Sequence, residues 1–157
     1  MTGKIFTARH AMGQLVEAEC LSANDGFSAR YDLNRLEGHF SRPAHKLYGQ
    51  SYHGKILVLD TAKGGVASAW MLYEMKSRNL YPAAILFNTV NPILAQGAAH
   101  AGITMLAGFD VNITEAIASG ARLRIDPAVT STVFVTTMTD TFGFFFFLGL
   151  AELFALH

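Results

Sequence analysis

Two short apolar runs bracketing a Gly-Gly turn, in residues 55–87, constrain this chain more than any other stretch. KILVLD leads into TAKGG, a helix-period segment VASAWMLYEMKSRN and then, past Pro82, AAILF. Residues 56–59 are apolar on both faces, as in a strand buried in the middle of a sheet. The spacing of Val66, Trp70 and Tyr73, alternating with Ala67, Met71 and Met75, predicts a helix ending near Arg78 or Asn79. Pro82 stops it, and 83–87 form the returning strand. Parallel crossovers are right-handed, so the Gly64-Gly65 turn is expected at the carboxyl edge of the first strand, where open α/β sheets bind ligands. Function should be sought there.

With 157 residues, 51% of them hydrophobic, the chain is one domain, or one domain plus an appendage, with a sizeable core. Twelve Lys and Arg balance twelve Asp and Glu, and no basic cluster offers a grip on a phosphate backbone, so no nucleic-acid partner is expected. Cys20 is the only cysteine. That excludes an internal disulfide, fits a reducing compartment, and excludes a self-contained iron–sulfur site, which takes three or four thiolates. The first residues lack the apolar run of a secretory signal, and a cytoplasmic location is expected. The six histidines show no H-x-x-x-H or H-x-x-E spacing, so no metal site is expected.

Residues 15–21 alternate Val16, Ala18 and Cys20 with Glu17 and Glu19, a strand with one wet face. Residues 22–50 read as mostly loop, and a connection that long is often functional. It carries Ser28, Arg30, Asp32, Arg42, His39 and His45; the two histidines stay as candidates because they share it. Asn91-Pro92 opens a second helix whose Ile93, Leu94, Gly97, Ala98 and Ala101 share a face. A short strand is expected over 103–106, a short helix within 110–120 capped by Asn112 or Thr114, and an edge strand over 122–125.

At the turn, Lys63, Gly64 and Gly65 precede a helix start. Backbone N–H groups there can approach an anion closely, and Ser68 in the first turn can face the same anion. A plain αβ turn with a serine cap fits the same residues. Neither Walker A nor G-x-G-x-x-G is matched, which argues against a nucleotide. Residues 88–93, NTVNPI, follow the returning strand and should stand at the same sheet edge; a turn rich in Asn for backbone reasons reads equally well.

Residues 13–126 resemble the small, swivelling-domain subunit of aconitase X type dehydratases. The resemblance is carried by LYGQS, the buried strand before the Gly-rich turn, PAAI and NPILAQGA. It implies an α/β fold, a swivelling β/β/α domain like the fourth domain of aconitase. It also implies a heterodimer with a larger subunit that holds the iron–sulfur cluster, this chain binding no cofactor and being inactive alone. The implied reaction is dehydration of a small hydroxy acid of the cis-3-hydroxyproline or phosphomevalonate type. In the aconitase pattern the swivelling domain supplies a serine that moves the substrate proton, within a Gly-rich loop that binds carboxylate. Carried onto this sequence, the serine is Ser68, and Lys63, Gly64 and Gly65 are the anion-binding turn. Many members have a serine directly after the first glycine, where this chain has Gly65, so Ser28 and Arg30 stand as reserve candidates. The alternative is a non-catalytic binding or scaffold module with the same fold.

Residues 1–127 would form that domain, leaving 128–157 as a hydrophobic tail. Residues 133–154, VFVTTMTDTFGFFFFLGLAELF, approach the ~20 residues that span a bilayer. Residues 126–150 resemble the last membrane helix of MgtE-type magnesium transporters, with Asp140 at the aspartate of TTMTD. An appended hydrophobic helix is expected, serving as a membrane tether or arising from a fusion.

Overall fold

The structure, a computed structural model, describes residues 3–128 and 132–136. In chain order the elements are β1 (Lys4–Met12), β2 (Val16–Phe27), β3 (Leu33–Asn34), β4 (His39–Phe40), β5 (Ile56–Ala62), α1 (Val66–Ser77), β6 (Ala84–Thr89), α2 (Pro92–Ala101), β7 (Thr104–Phe109), α3 (Ile113–Ala116), β8 (Arg122–Asp126) and β9 (Thr132–Thr136). Seven strands close a barrel in the order β1, β7, β6, β5, β2, β8, β9, while β3 and β4 form a separate small hairpin. β2, β5, β6 and β7 run parallel, with Cys20 opposite Ile56, Ile56 opposite Ala84, and Ala84 opposite Thr104. The other neighbours are antiparallel.

The alternation of β5 divides the core. Ile56 and Val58 pack with Cys20, Leu86, Leu106, Leu123 and Ile125 inside the barrel. Leu57 and Leu59 face the other way, onto Leu72 and Met75 of α1, Leu94 of α2 and Phe27. All four β5 side chains are fully buried, so the doubly apolar run has an apolar partner on each side, and each such side chain stabilises the fold by roughly 1.5–3 kcal/mol. α1 and α2 approach closely at Gly97, where a β-carbon would stand 2.6 Å from Ala69 Cβ and 2.7 Å from its Cα.

The crossover of β5, α1 and β6 forms where the sequence places it. Several other readings are corrected. Residues 4–12, read only for targeting signals, form β1. β2 runs on through Phe27 rather than ending near Leu21, with a shift of register between Ala23 and Gly26. The helix-period spacing on α1 left its buried face open, and that face is Ser68, Leu72 and Met75, whereas Val66, Trp70 and Tyr73 are exposed. β8 is no edge strand, because β9 pairs along it from Arg122–Thr136 to Asp126–Thr132.

That pairing also corrects the tail. Residues 133–136, expected in a hydrophobic helix, lie in a strand that closes the barrel between β8 and β1. Pro127 therefore falls between two strands of the same barrel, and the likeness to a transporter helix is not supported. Asp140 and the rest of residues 137–157 lie outside the described residues. Among the described residues no helix is long and apolar enough to cross a membrane.

Candidate functional site

The site is built where β5 ends. The Lys63 N–H donates to Phe27 O at 2.7 Å, prolonging the β2–β5 pairing by one residue. The chain then turns at Gly64, whose φ of +102° is a left-handed conformation open to glycine. Gly65 caps α1 with no side-chain hydrogen bond. Lys63, Gly64 and Gly65 are all exposed. The first amides of α1 have no intrahelical carbonyl to meet, so they and the positive end of the helix suit an anion. Among the described residues Lys63 has no acidic partner. A basic residue thus adjoins a row of backbone donors at this turn, the lip of the site.

Ser68 lies in the first turn of α1 and is only 2% exposed. Its hydroxyl does not cap the helix but faces Ser28, the two Oγ atoms standing 3.5 Å apart. Ser28, 5% exposed, is itself fixed: its N–H donates to Asp32 Oδ2 at 2.7 Å, and the Asp32 N–H returns to its carbonyl at 3.0 Å. Buried Asp32 also accepts from Arg42 Nε. A buried carboxylate must have such partners, and here they freeze the start of the long loop under the turn.

A third segment arrives from β6. Asn91 caps α2 by accepting from the Leu94 N–H at 2.8 Å, and its Nδ2 donates to Gly64 O at 3.3 Å. The two loops expected to share a sheet edge are therefore joined by one asparagine. Asn88 turns elsewhere, donating to Asp60 Oδ1 at 2.9 Å and Asn112 Oδ1 at 2.8 Å.

Of the residues expected here, Lys63, Gly64, Gly65, Ser68 and Ser28 come together. Arg30 is exposed, with its guanidinium 5.3 Å over the Tyr31 ring. His39 lies by Glu37, 3.6 Å away. His45 is buried beneath Gly26, its Nε2 2.9 Å from the Gly26 carbonyl. Beside it, burial works to raise the Asp25 pKa, but the amides of Lys46 and Gly26, with His45 and Arg42 nearby, outweigh burial and hold the carboxyl below its ordinary value. The Asp32–Arg42 pair and the seat of Lys63 against Gly26 were not read from the sequence, because each joins residues far apart in the chain.

The donor set does not fit an iron–sulfur cluster. Cys20 is buried inside the barrel, its Sγ donates to Ala118 O at 3.3 Å, and burial pushes its thiol up to about 11, against the thiolate that iron requires. Among the described residues no three His, Cys, Asp or Glu side chains are grouped to hold a metal.

Residues 5–135 match a family model described as the aconitase X swivel domain. The phosphomevalonate dehydratase small subunit of Methanococcoides burtonii is 29% identical over 112 residues, 71% of this chain and 82% of that protein. Its counterpart from Thermococcus gammatolerans is 30% identical over 118 residues, covering 75% and 88%. A crystal structure of Thermococcus kodakaraensis aconitase X in its holo-form superposes with a TM-score of 0.78 at 26% identity, over 85% of this chain and 98% of that one.

Proposed function

The chain belongs to the aconitase X swivel-domain family, and on that premise we propose that it is the small subunit of a two-chain dehydratase. Its lip would close on a hydroxy acid held by a larger subunit. The observation that supports this best is the joining of Lys63, Gly64 and Gly65 into one exposed donor-rich turn at the sheet edge, in a chain similar over most of its length to dehydratase small subunits. A phosphomevalonate-type substrate is favoured over a cis-3-hydroxyproline type by the names of those relatives. The iron–sulfur cluster is assigned to the partner, and no step is drawn through it here.

Within this chain, Lys63 and the amides of the turn bind a carboxylate or phosphate, and charge-assisted contacts of that kind are the strong ones. Ser68 is proposed as the group that moves the substrate proton, with Ser28 as its hydrogen-bond partner and Arg30 as a reserve anion contact. A serine hydroxyl is a weak base unless its alkoxide is stabilised, which the helix start and Lys63 favour. Closure on the partner supplies the water-poor site that such a proton transfer needs.

One observation favours a second reading. Both hydroxyls are nearly buried and Gly65 brings no side chain to the lip, as in a binding or scaffold module that kept the fold without the chemistry. Mixing the chain with its large subunit separates the two. The dehydratase reading expects water elimination from phosphomevalonate only when both chains are present. A complex that forms yet adds nothing to the large subunit alone supports the scaffold.

A further inference from the structure

The side chain of Lys63 rests on the neighbouring strand. Gly26 sits at the shift of register between β2 and β5, and the stem of Lys63 lies across its α-carbon. A β-carbon on Gly26 would overlap Lys63 Cε and stand 2.7 Å from Nζ and 2.9 Å from Cδ. Only a residue without a β-carbon leaves room for the lysine stem in that position.

The Gly26 peptide is held on both sides. Its N–H donates to Asp25 Oδ1 at 2.8 Å, and its carbonyl meets His45 Nε2 at 2.9 Å. The other ring nitrogen, Nδ1, accepts from the Leu47 N–H at 3.1 Å. One neutral tautomer, with the proton on Nε2, satisfies both bonds. The ring stacks on Phe40 at 4.7 Å and its side chain is fully buried. Both nitrogens are hydrogen-bonded to backbone, and Nε2 also lies 3.9 Å from Asp25 Oδ2, so His45 reaches the lysine through the Asp25-Gly26 segment it holds.

We propose that Gly26, clamped by His45, is the seat that aims the Lys63 ammonium into the lip, which makes Gly26 and His45 positioning residues for the bound anion. The proposal rests on the reading of the lip as the substrate's anion site. An added β-carbon at position 26 meets the far end of a flexible side chain, so the lysine swings aside at little cost to the fold and loses its aim.

The test is steady-state kinetics of the complex between this chain and its large subunit, with phosphomevalonate as substrate. Lys63→Ala and Gly26→Ala are each expected to raise KM about tenfold or more, the scale of one charge-assisted contact, with a smaller change in kcat. The double variant should be no worse than Lys63→Ala alone, because the glycine works only through the lysine. His45→Gln keeps an N–H for the Gly26 carbonyl and should hold KM near the parent value, while His45→Ala should follow Gly26→Ala. If His45→Ala fails to fold, Gly26→Ala and the double variant decide. A Gly26→Ala complex with unchanged KM where Lys63→Ala raises it overturns the seat, as do independent, additive effects. A KM untouched by Lys63→Ala overturns the anion reading of the lip, and the seat with it.

Discussion

Gly64 and Ser68 compete for one patch of space. A β-carbon on Gly64 would overlap the Ser68 hydroxyl and lie 3.0 Å from Ser68 Cβ, and Gly64 also holds a φ of +102°. The turn can therefore fold over the serine only because residue 64 has no side chain.

Gly64→Ala should destabilise the chain by about 1–3 kcal/mol, from left-handed strain together with the displaced hydroxyl. Chemical denaturation of the parent and variant chains measures it. An unchanged midpoint would show that the turn is looser than its geometry indicates.

Ser68→Ala and Ser28→Ala divide the proton-moving role from the packing role. Both hydroxyls are buried and 3.5 Å apart, a long bond whose loss should cost about 1 kcal/mol of stability or less. If Ser68 moves the proton, its alanine variant in the two-chain complex should lose on the order of 10²-fold or more in kcat. Ser28→Ala should lose less. Equal and small losses from both would leave the pair a structural one.

The parts of the fold that could be read from the chain are those written by neighbouring residues. β5, α1 and β6 follow from an apolar run, a Gly-Gly turn and Pro82, and the capped start of α2 follows from Asn91-Pro92. Barrel closure could not be read this way, because Lys4 pairs with Val135 and Glu17 with Arg124, partners that no local period announces. The buried face of α1 could not be read from the chain, because Trp70 and Tyr73 recur at helical spacing just as Leu72 and Met75 do, and the side against the sheet took the aliphatic residues. At the site the turn itself was readable. The meeting of Ser28 with Ser68 was not, since it depends on β2 running alongside β5 to its end.

Tyr52 is fully buried and its hydroxyl finds no hydrogen-bond partner among the described residues; burial, the main cause, pushes its pKa up to about 12. A buried hydroxyl without a partner costs stability. Tyr52→Phe should accordingly stabilise the chain by roughly 1 kcal/mol, read as a rise in thermal midpoint. A fall of that size would show that the oxygen is serving an interaction that removal breaks.

Cys20 provides a test of the barrel interior. Its folded thiol titrates at about 11 against an ordinary 9.0, so the unfolded chain gives up that proton first. The contribution to stability is present below pH 9.0 and declines as pH rises through the interval towards 11. At pH 8 a thiol reagent should label the native chain slowly and the urea-unfolded chain at once. Rapid labelling of the native chain would contradict a closed barrel around β2.

The lip is tested most directly by the rate of phosphomevalonate dehydration in the two-chain complex carrying Lys63→Ala in this subunit, compared with the parent complex and with the large subunit alone. An intact complex in which kcat/KM falls about tenfold or more is the predicted result. Parent-level kcat/KM in that variant complex would contradict it.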